Sequence, residues 1–261
     1  MTEEKKKIVS REDMMKLLDS LYQRVLDGVP KVSPSVEEMA QDYLKKNLAK
    51  DRAIRAMTKN QIAKCATSGF IAGFGGLLAL PVVIPANISS VLYVQMRMIA
   101  CIAYIAGYDL KSDQTQTFVY ACLAGVTLNG ILKNFGVQFG VKFATELVKK
   151  IPGQVLTKIN QRVGFRLVTK FGTKGLINLG KVVPGVGALI SGGMDYAETK
   201  VIAKRAYQWF MEGDFSGETE ETSAQAEEEP IIDVTDYEKV EEIKEEQTIP
   251  VSYTHLTLPT T

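Results

Sequence analysis

The feature that most constrains this chain is a run of 32 positions, residues 65–96, that contains no charged side chain. An apolar run of about 18 residues or more is normally a candidate membrane span. Glycines and prolines interrupt this run at Gly69, Gly73, Gly75, Gly76, Pro81 and Pro85. Because proline removes a helical hydrogen bond and clashes with the preceding turn, we predict two helices that meet at a break over residues 80–86, the second continuing to about Gly107. We expect a packed or re-entrant hairpin, covered by either protein or lipid.

The rest of the body has apolar residues at helical spacing, and no alternating strand pattern persists. Ser10 with Asp13, and Ser35 with Glu38, have the spacing of helix-capping boxes. We therefore predict an all-α, multi-helix bundle that contains the Gly/Pro-broken hairpin. Its further helices are expected from about residue 51 to 64, 113 to 133, 135 to 150, 155 to 171 and 194 to 210.

Charge divides the chain into unlike parts. Residues 1–64 carry 14 Lys/Arg against 10 Asp/Glu, residues 65–212 carry 15 against 6, and residues 213–261 carry 2 against 14. Such asymmetry is typical of a folded body with an interaction tail. We predict a flexible N-terminus (1–12), a helical domain (13–212) and a disordered acidic tail (213–250), which could hold a protein partner.

The last residues resemble translated adapter sequence. Residues 251–260 read VSYTHLTLPT, which matches the translation of a transposon-type sequencing adapter, so we set residues 251–261 aside from fold reasoning. His255 is the only histidine in the chain. Without it, Ser-His-Asp and Cys-His catalysis and histidine-ligated metal are excluded.

The cysteines and glycines indicate no cofactor site. Cys65, Cys101 and Cys122 are far apart in apolar surroundings, which favours buried thiols over disulfides, a disulfide-linked partner or a zinc site. No phosphate-binding loop occurs, and Gly185-x-Gly187 lacks the third glycine of a dinucleotide fingerprint. The charged N-terminus lacks the apolar core of a secretory signal. We therefore predict a non-secreted protein with neither cofactor nor metal.

Three segments in order resemble one protein family. They are LPVVIPANISSVLYVQMRMIACIAYIAGYDL (80–110), KIPGQVLTKINQRVGFRLVTKFGTKG (150–175) and KVVPGVGALISGGMDYAETKVIAKRAYQWF (181–210). Together they are similar to the EcsC protein family over roughly residues 15–211. The resemblance implies a bacterial protein and, from the family's link to a gene beside an ABC transporter, a connection to transport or envelope processes. It supplies no catalytic residues.

A polar site in the apolar core could be formed by Arg97, Asp109 and Asp195. Arg97 and Asp109 flank an apolar helix, and an ionisable group in such a setting is a functional hypothesis by default. We predict an acidic partner for Arg97, Asp109 being one option if the chain turns back; the alternative is a snorkelling side chain. Asp195 with Glu198 could supply paired carboxylates for a hydrolase or a metal, or could suit the first turn of the last helix.

A basic stripe is the strongest candidate binding surface. Lys158, Arg162, Arg166 and Lys170 recur every four positions, so they drift by only about 40° per step on a helix. An apolar arc (Leu156, Ile159, Val163, Leu167) lies beside them. This pattern suits an anionic membrane surface, or else the solvated face of an ordinary bundle. Nucleic acid is disfavoured because no interleaved exposed aromatic residue is expected.

These observations favour a non-enzymatic helical protein at the cytoplasmic face of the inner membrane, either peripheral or partly inserted. The alternatives are a hydrolase-type enzyme that uses carboxylates and a soluble protein-binding module. We further predict that the acidic tail competes with lipid for the basic stripe in a salt-sensitive way.

Overall fold

The computed structural model describes residues 9–30, 32–65, 86–134, 144–171 and 187–215, with side chains from residues 88, 145 and 196 onward in the last three ranges. The chain divides after Gly217 into two units, and all described residues belong to the first. The first arm of the predicted hairpin, the segment before residue 144, the acidic tail beyond residue 215 and the adapter-like end lie outside the described residues.

The described part of the chain is all-α, as predicted. It contains no strand, only an isolated bridge between Val29 and Ser33. The helices are α1 (Arg11–Asp27), α2 (Val36–Lys46), α3 (Lys50–Cys65), α4 (Ala86–Ala106), α5 (Asp113–Ala124), α6 (Asn129–Asn134), α7 (Ala144–Lys149), α8 (Gly153–Phe171) and α9 (Gly187–Tyr207), which continues into a π-helix at Gln208–Glu212.

Both predicted capping boxes are confirmed. Asp13 N donates to Ser10 Oγ at 3.0 Å, and Ser10 N donates back to Asp13 Oδ2 at 3.3 Å. In the second box, Glu38 N donates to Ser35 Oγ at 3.1 Å, and Ser35 N donates back to Glu38 Oε2 at 2.9 Å. Each box satisfies two backbone N–H groups that the first turn leaves open, and a cap of this kind is worth about 1 kcal/mol.

The connection from α1 to α2 requires a glycine. Gly28 has φ +79°, and a Cβ added there would lie 2.7 Å from Ser35 N. The chain then forms a tight turn in which Val29 and Ser33 exchange two backbone hydrogen bonds of 2.9 Å. This turn brings Ser33 and Pro34 over the middle of α4, where Tyr93 Oη lies 2.7 Å from Ser33 Oγ.

Helix α4 is the central core helix. It packs against α1, α2, α3, α5 and α9. Its stretch Ile88–Ala106 is long and apolar enough to cross a membrane, yet 89% of it is buried inside the protein. The described arm of the predicted hairpin is therefore a packed helix covered by protein.

Helix α5 ends earlier than predicted. It stops at Ala124 rather than near Lys133, because Gly125 adopts a left-handed conformation (φ +71°) and its N–H turns back to Ala121 O. Arg205 of α9 packs there, and its Nη1 donates to Cys122 O at 3.0 Å. A left-handed glycine of this kind is a common helix terminator, and the continuous apolar pattern concealed it.

Helix α9 begins earlier than predicted. It starts at Gly187 rather than near residue 194, so Gly192 and Gly193 lie within the helix. A helical glycine costs only about 1 kcal/mol relative to alanine, which surrounding packing can offset. Asp195 and Glu198 therefore lie more than two turns into the helix, and their assignment to its first turn is wrong.

Both ends of the predicted helical domain need correction. Val9 is buried in the core before the first helix begins. Phe215 is 3% exposed, and its ring centroid lies 5.2 Å from that of Phe118 and 5.7 Å from that of Trp209. The packed domain therefore includes residues 9–12 and 213–215, which the charge pattern had assigned to the termini.

Candidate functional site

Arg97 is buried in the core, as its position in an apolar helix suggested. It is 2% exposed, its Nη2 donates to Pro34 O at 3.1 Å, and its Nε is buried without a hydrogen-bond partner. Burial lowers the pKa of Arg97, although Tyr93, Cys101 and Tyr43 partly oppose that effect. None of the ion pairs between described residues includes Arg97. It is therefore a buried cation held by a backbone carbonyl, and it does not snorkel to solvent.

Asp109 does not meet Arg97. It is exposed in the turn between α4 and α5, where its Oδ1 accepts a hydrogen bond from Lys111 N at 2.9 Å. Its backbone carbonyl accepts another from Ser112 Oγ at 2.8 Å. The chain turns back after α4, but within that turn the Asp109 carboxylate accepts a hydrogen bond from the backbone and does not reach Arg97. The structure therefore places Asp109 outside the core and does not form the Arg97–Asp109 pair.

Glu198, one of the two predicted carboxylates of α9, forms an ion pair with a lysine of α8. Lys170 of α8 forms an ion pair with Glu198 Oε1, and its Nζ also lies 5.0 Å from the ring centroid of Phe171. This contact joins α8 to α9 across the fold. Asp195 lies in α9, but its side chain is outside the described residues. Among the described residues, no group of three His, Cys, Asp or Glu side chains is placed to hold a metal ion.

The buried thiols are poor nucleophiles. Cys65, Cys101 and Cys122 are all buried. Burial raises the pKa of Cys101 and that of Cys122 to about 12. Since the thiolate is the reactive form, neither group can act as a nucleophile near neutral pH.

A polar cleft of about 300 Å³ lies between α1, α5 and α8. Asp19 Oδ1 in this cleft accepts hydrogen bonds from Tyr120 Oη at 2.8 Å and from Gln116 Nε2 at 3.0 Å. Burial and the neighbouring Asp19 carboxylate raise the pKa of Tyr120. The phenol therefore stays protonated and serves as a donor that ties α5 to α1. The cleft offers no described nucleophile beside a base.

The basic stripe lies on the outer face of α8. Lys158, Arg162, Arg166 and Lys170 are all exposed, while the other side of the helix is buried against α1 and α5. The buried residues of this helix are Val155, Leu156, Ile159, Val163, Gly164 and Leu167. The predicted apolar arc is therefore the buried side of α8, and the predicted basic stripe beside it is exposed.

The basic face of α8 includes an aromatic side chain that the sequence reading missed. Phe165 is 49% exposed. On a helix it lies at the edge of the basic stripe, about 60° from Arg162, on the side away from the apolar arc. The expectation that this segment lacks an exposed aromatic residue is wrong. The exposure of Phe165 could have been predicted from a helical wheel, because Phe165 lies about 20° from Lys158, well outside the apolar arc.

The electrostatic balance of this face is positive. Helix α8 contains no acidic residue. Within the part of the chain that the structure describes, neither Arg162 nor Arg166 forms an ion pair, whereas Lys170 is neutralised by Glu198. The surface centred on Arg162, Phe165 and Arg166, which we call the α8 face, thus combines exposed cations with exposed apolar area.

Fold and surface together define a class: an all-α protein with a long apolar core helix and a basic, aromatic outer helix. The model of the EcsC protein family matches residues 4–211. The chain therefore belongs to the EcsC family, which confirms the resemblance found in the sequence. Comparison with curated proteins and with solved structures finds no match.

Proposed function

We propose that this EcsC family protein is a non-enzymatic, peripheral membrane protein that binds anionic lipid at the cytoplasmic face of the membrane through the α8 face. The observation that carries the proposal is the exposure of Phe165 beside the exposed Arg162 and Arg166 on the outer side of one helix. Helices at a lipid interface combine Lys and Arg with large apolar side chains, and the outer side of α8 exposes both kinds of side chain. The acid-poor sequence of α8 favours lipid of negative charge.

The strength of this attachment can be worked out from the residues. Each arginine near an anionic surface contributes about 1 kcal/mol. Burying the exposed half of Phe165 in the interface adds about 1 kcal/mol. The sum of about 3 kcal/mol corresponds to a dissociation constant weaker than about 1 mM. The α8 face alone therefore supports reversible association and not permanent anchoring.

The core helix supports a peripheral attachment. Because most of Ile88–Ala106 is already covered by protein, moving α4 into lipid would require the helices around it to separate. Apolar surface that protein already covers gains little from transfer into lipid. Binding through an outer helix leaves the core packed and needs no such rearrangement.

The experiment is co-sedimentation with vesicles that contain increasing fractions of phosphatidylglycerol. The full chain is expected to bind anionic vesicles more tightly than neutral ones, and added salt should weaken the binding. Charge reversal at Arg162→Glu with Arg166→Glu should reduce binding at least tenfold. The matched control is Lys200→Glu with Lys204→Glu on α9, since that pair is also exposed, helical and four positions apart; it should retain most of the binding.

Two outcomes would refute this function. If the full chain shows no preference for anionic over neutral vesicles, the α8 face has no lipid role. If a fluorescent single-stranded oligonucleotide binds instead, and Phe165→Ala abolishes that binding, then the face is a base-stacking surface. A hydrolase role would require a carboxylate centre; Asp19 and Asp113 both line the cleft, and an oxygen of Asp19 is already hydrogen-bonded to Tyr120 and Gln116.

A further inference from the structure

A second apolar side chain protrudes from the protein far from α8 in sequence. Leu48, in the connection between α2 and α3, is 100% exposed. Every other leucine whose side chain is described is buried or half-buried. Single exposed apolar residues are common on protein surfaces. Leu48 differs from such residues because it is fully exposed and four basic residues lie within four positions of it in the sequence.

The connection that carries Leu48 is short and fixed at both ends. Asn47 ends α2, and its Nδ2 donates to Tyr43 O at 2.8 Å. Ala49 O accepts the first backbone hydrogen bond of α3 from Ala53 N at 3.0 Å. Asn60 Nδ2 also donates to Tyr43 Oη at 2.6 Å, which ties the two helices together. Leu48 thus lies at the tip of a short connection between two helices that are hydrogen-bonded to each other.

Basic residues flank this tip on both sides in the sequence. Lys45 and Lys46 precede Leu48, and Lys50 and Arg52 follow it, all of them exposed. Lys46 is paired with Asp42 at 2.7 Å, and Asp51 accepts a hydrogen bond from Tyr207 Oη at 2.9 Å. An apolar tip within a basic collar is complementary to an anionic lipid surface, where the cations meet headgroups and the leucine meets acyl chains. A second copy of this chain would instead bring one basic collar against another.

We propose that the α2–α3 tip (Asn47, Leu48, Ala49) is a second lipid-contacting element, in which Leu48 inserts into an anionic membrane surface. This inference rests on the proposed membrane function and extends it to a new site. Stable attachment of a peripheral protein generally needs two membrane-binding elements, and the tip would supply the second one beside the α8 face. A leucine that moves from water into lipid should strengthen binding about tenfold.

The test labels the tip with an environment-sensitive dye. The three native cysteines are buried, so a Leu48→Cys variant can be labelled selectively with a nitrobenzoxadiazole maleimide. On addition of anionic vesicles, the emission should shift to the blue and rise severalfold. The matched control is Val32→Cys, another exposed apolar position, which lies beside Asp27 and Glu38 and should remain in water.

A second variant measures affinity. Leu48→Ser should reduce binding of the full chain to anionic vesicles about tenfold without changing its thermal midpoint, because a fully exposed side chain supports no packing.

The outcomes separate the two proposals. If the full chain sediments with anionic vesicles but the label at position 48 stays in water, the tip proposal is overturned and the α8 proposal stands. If the label responds while the Arg162→Glu, Arg166→Glu chain binds as tightly as the wild type, the tip is supported and the α8 face is refuted. If the full chain binds no vesicles at all, both fail.

Discussion

Replacing Arg97 by methionine should stabilise the protein. Arg97 is 2% exposed, and its guanidinium donates one hydrogen bond, to Pro34 O. It forms no ion pair with a described carboxylate. Removing a buried charge recovers a desolvation cost of several kcal/mol. The change leaves Pro34 O without its donor, at a cost of about 1 kcal/mol. Methionine has a similar length and fills the space flexibly.

The net expectation is a gain of about 1–3 kcal/mol in the free energy of unfolding. For a domain of this size, that gain raises the thermal midpoint by roughly 2–10 °C. The assay is urea denaturation followed by circular dichroism, with the full chain as reference. Lys111→Met, at an exposed position, is the control and should lie within about 0.5 kcal/mol of wild type. A loss of more than about 2 kcal/mol on Arg97→Met would show that the charge is stabilised by a partner and that this reasoning is wrong.

Two further predictions concern the first loop and the tail. Gly28→Ala should lower the free energy of unfolding by about 2 kcal/mol or more, because φ is positive and the new Cβ would meet Ser35 N at 2.7 Å; Gly130→Ala, with open space around it, should change little in the same urea titration. A chain truncated after Gly217 should bind anionic vesicles more tightly than the full chain at low salt, and the two should converge as salt rises, since 13 of the 14 acidic residues after position 212 are then absent. Equal binding at low salt would exclude competition by the tail. Truncation after Glu212 is unsuitable for this comparison because it removes the buried Phe215.

Local rules predicted the parts of the fold that local interactions determine. The capping boxes at Ser10 and Ser35 are complete within four residues, so the sequence contains the whole interaction. The boundaries that failed lie at glycines: α5 ends at the left-handed Gly125, where Arg205 also packs, and α9 continues through Gly192 and Gly193. Periodicity measures which side of a helix is apolar. It carries no information on which helix will pack there.

The same distinction explains the site residues. The exposed stripe on α8 was predictable because its periodicity is internal to one helix. The surroundings of Arg97 were not, since the carbonyl that binds it comes from Pro34, 63 positions away in the chain. Leu48 escaped notice because it lies outside any helix, where periodicity assigns neither a buried nor an exposed side.

The central position of α4 has a consequence for synthesis of the protein. On leaving the ribosome, this segment has the length and hydropathy of a membrane span, and only its neighbours distinguish it from one. Three of the five α-helices that pack most against it, α1, α2 and α3, precede it in the chain and are made first. They can shelter α4 as it emerges, before α5 and α9 exist. The order of helices along the chain thus favours early burial of the segment most prone to misdirection to the membrane or to aggregation.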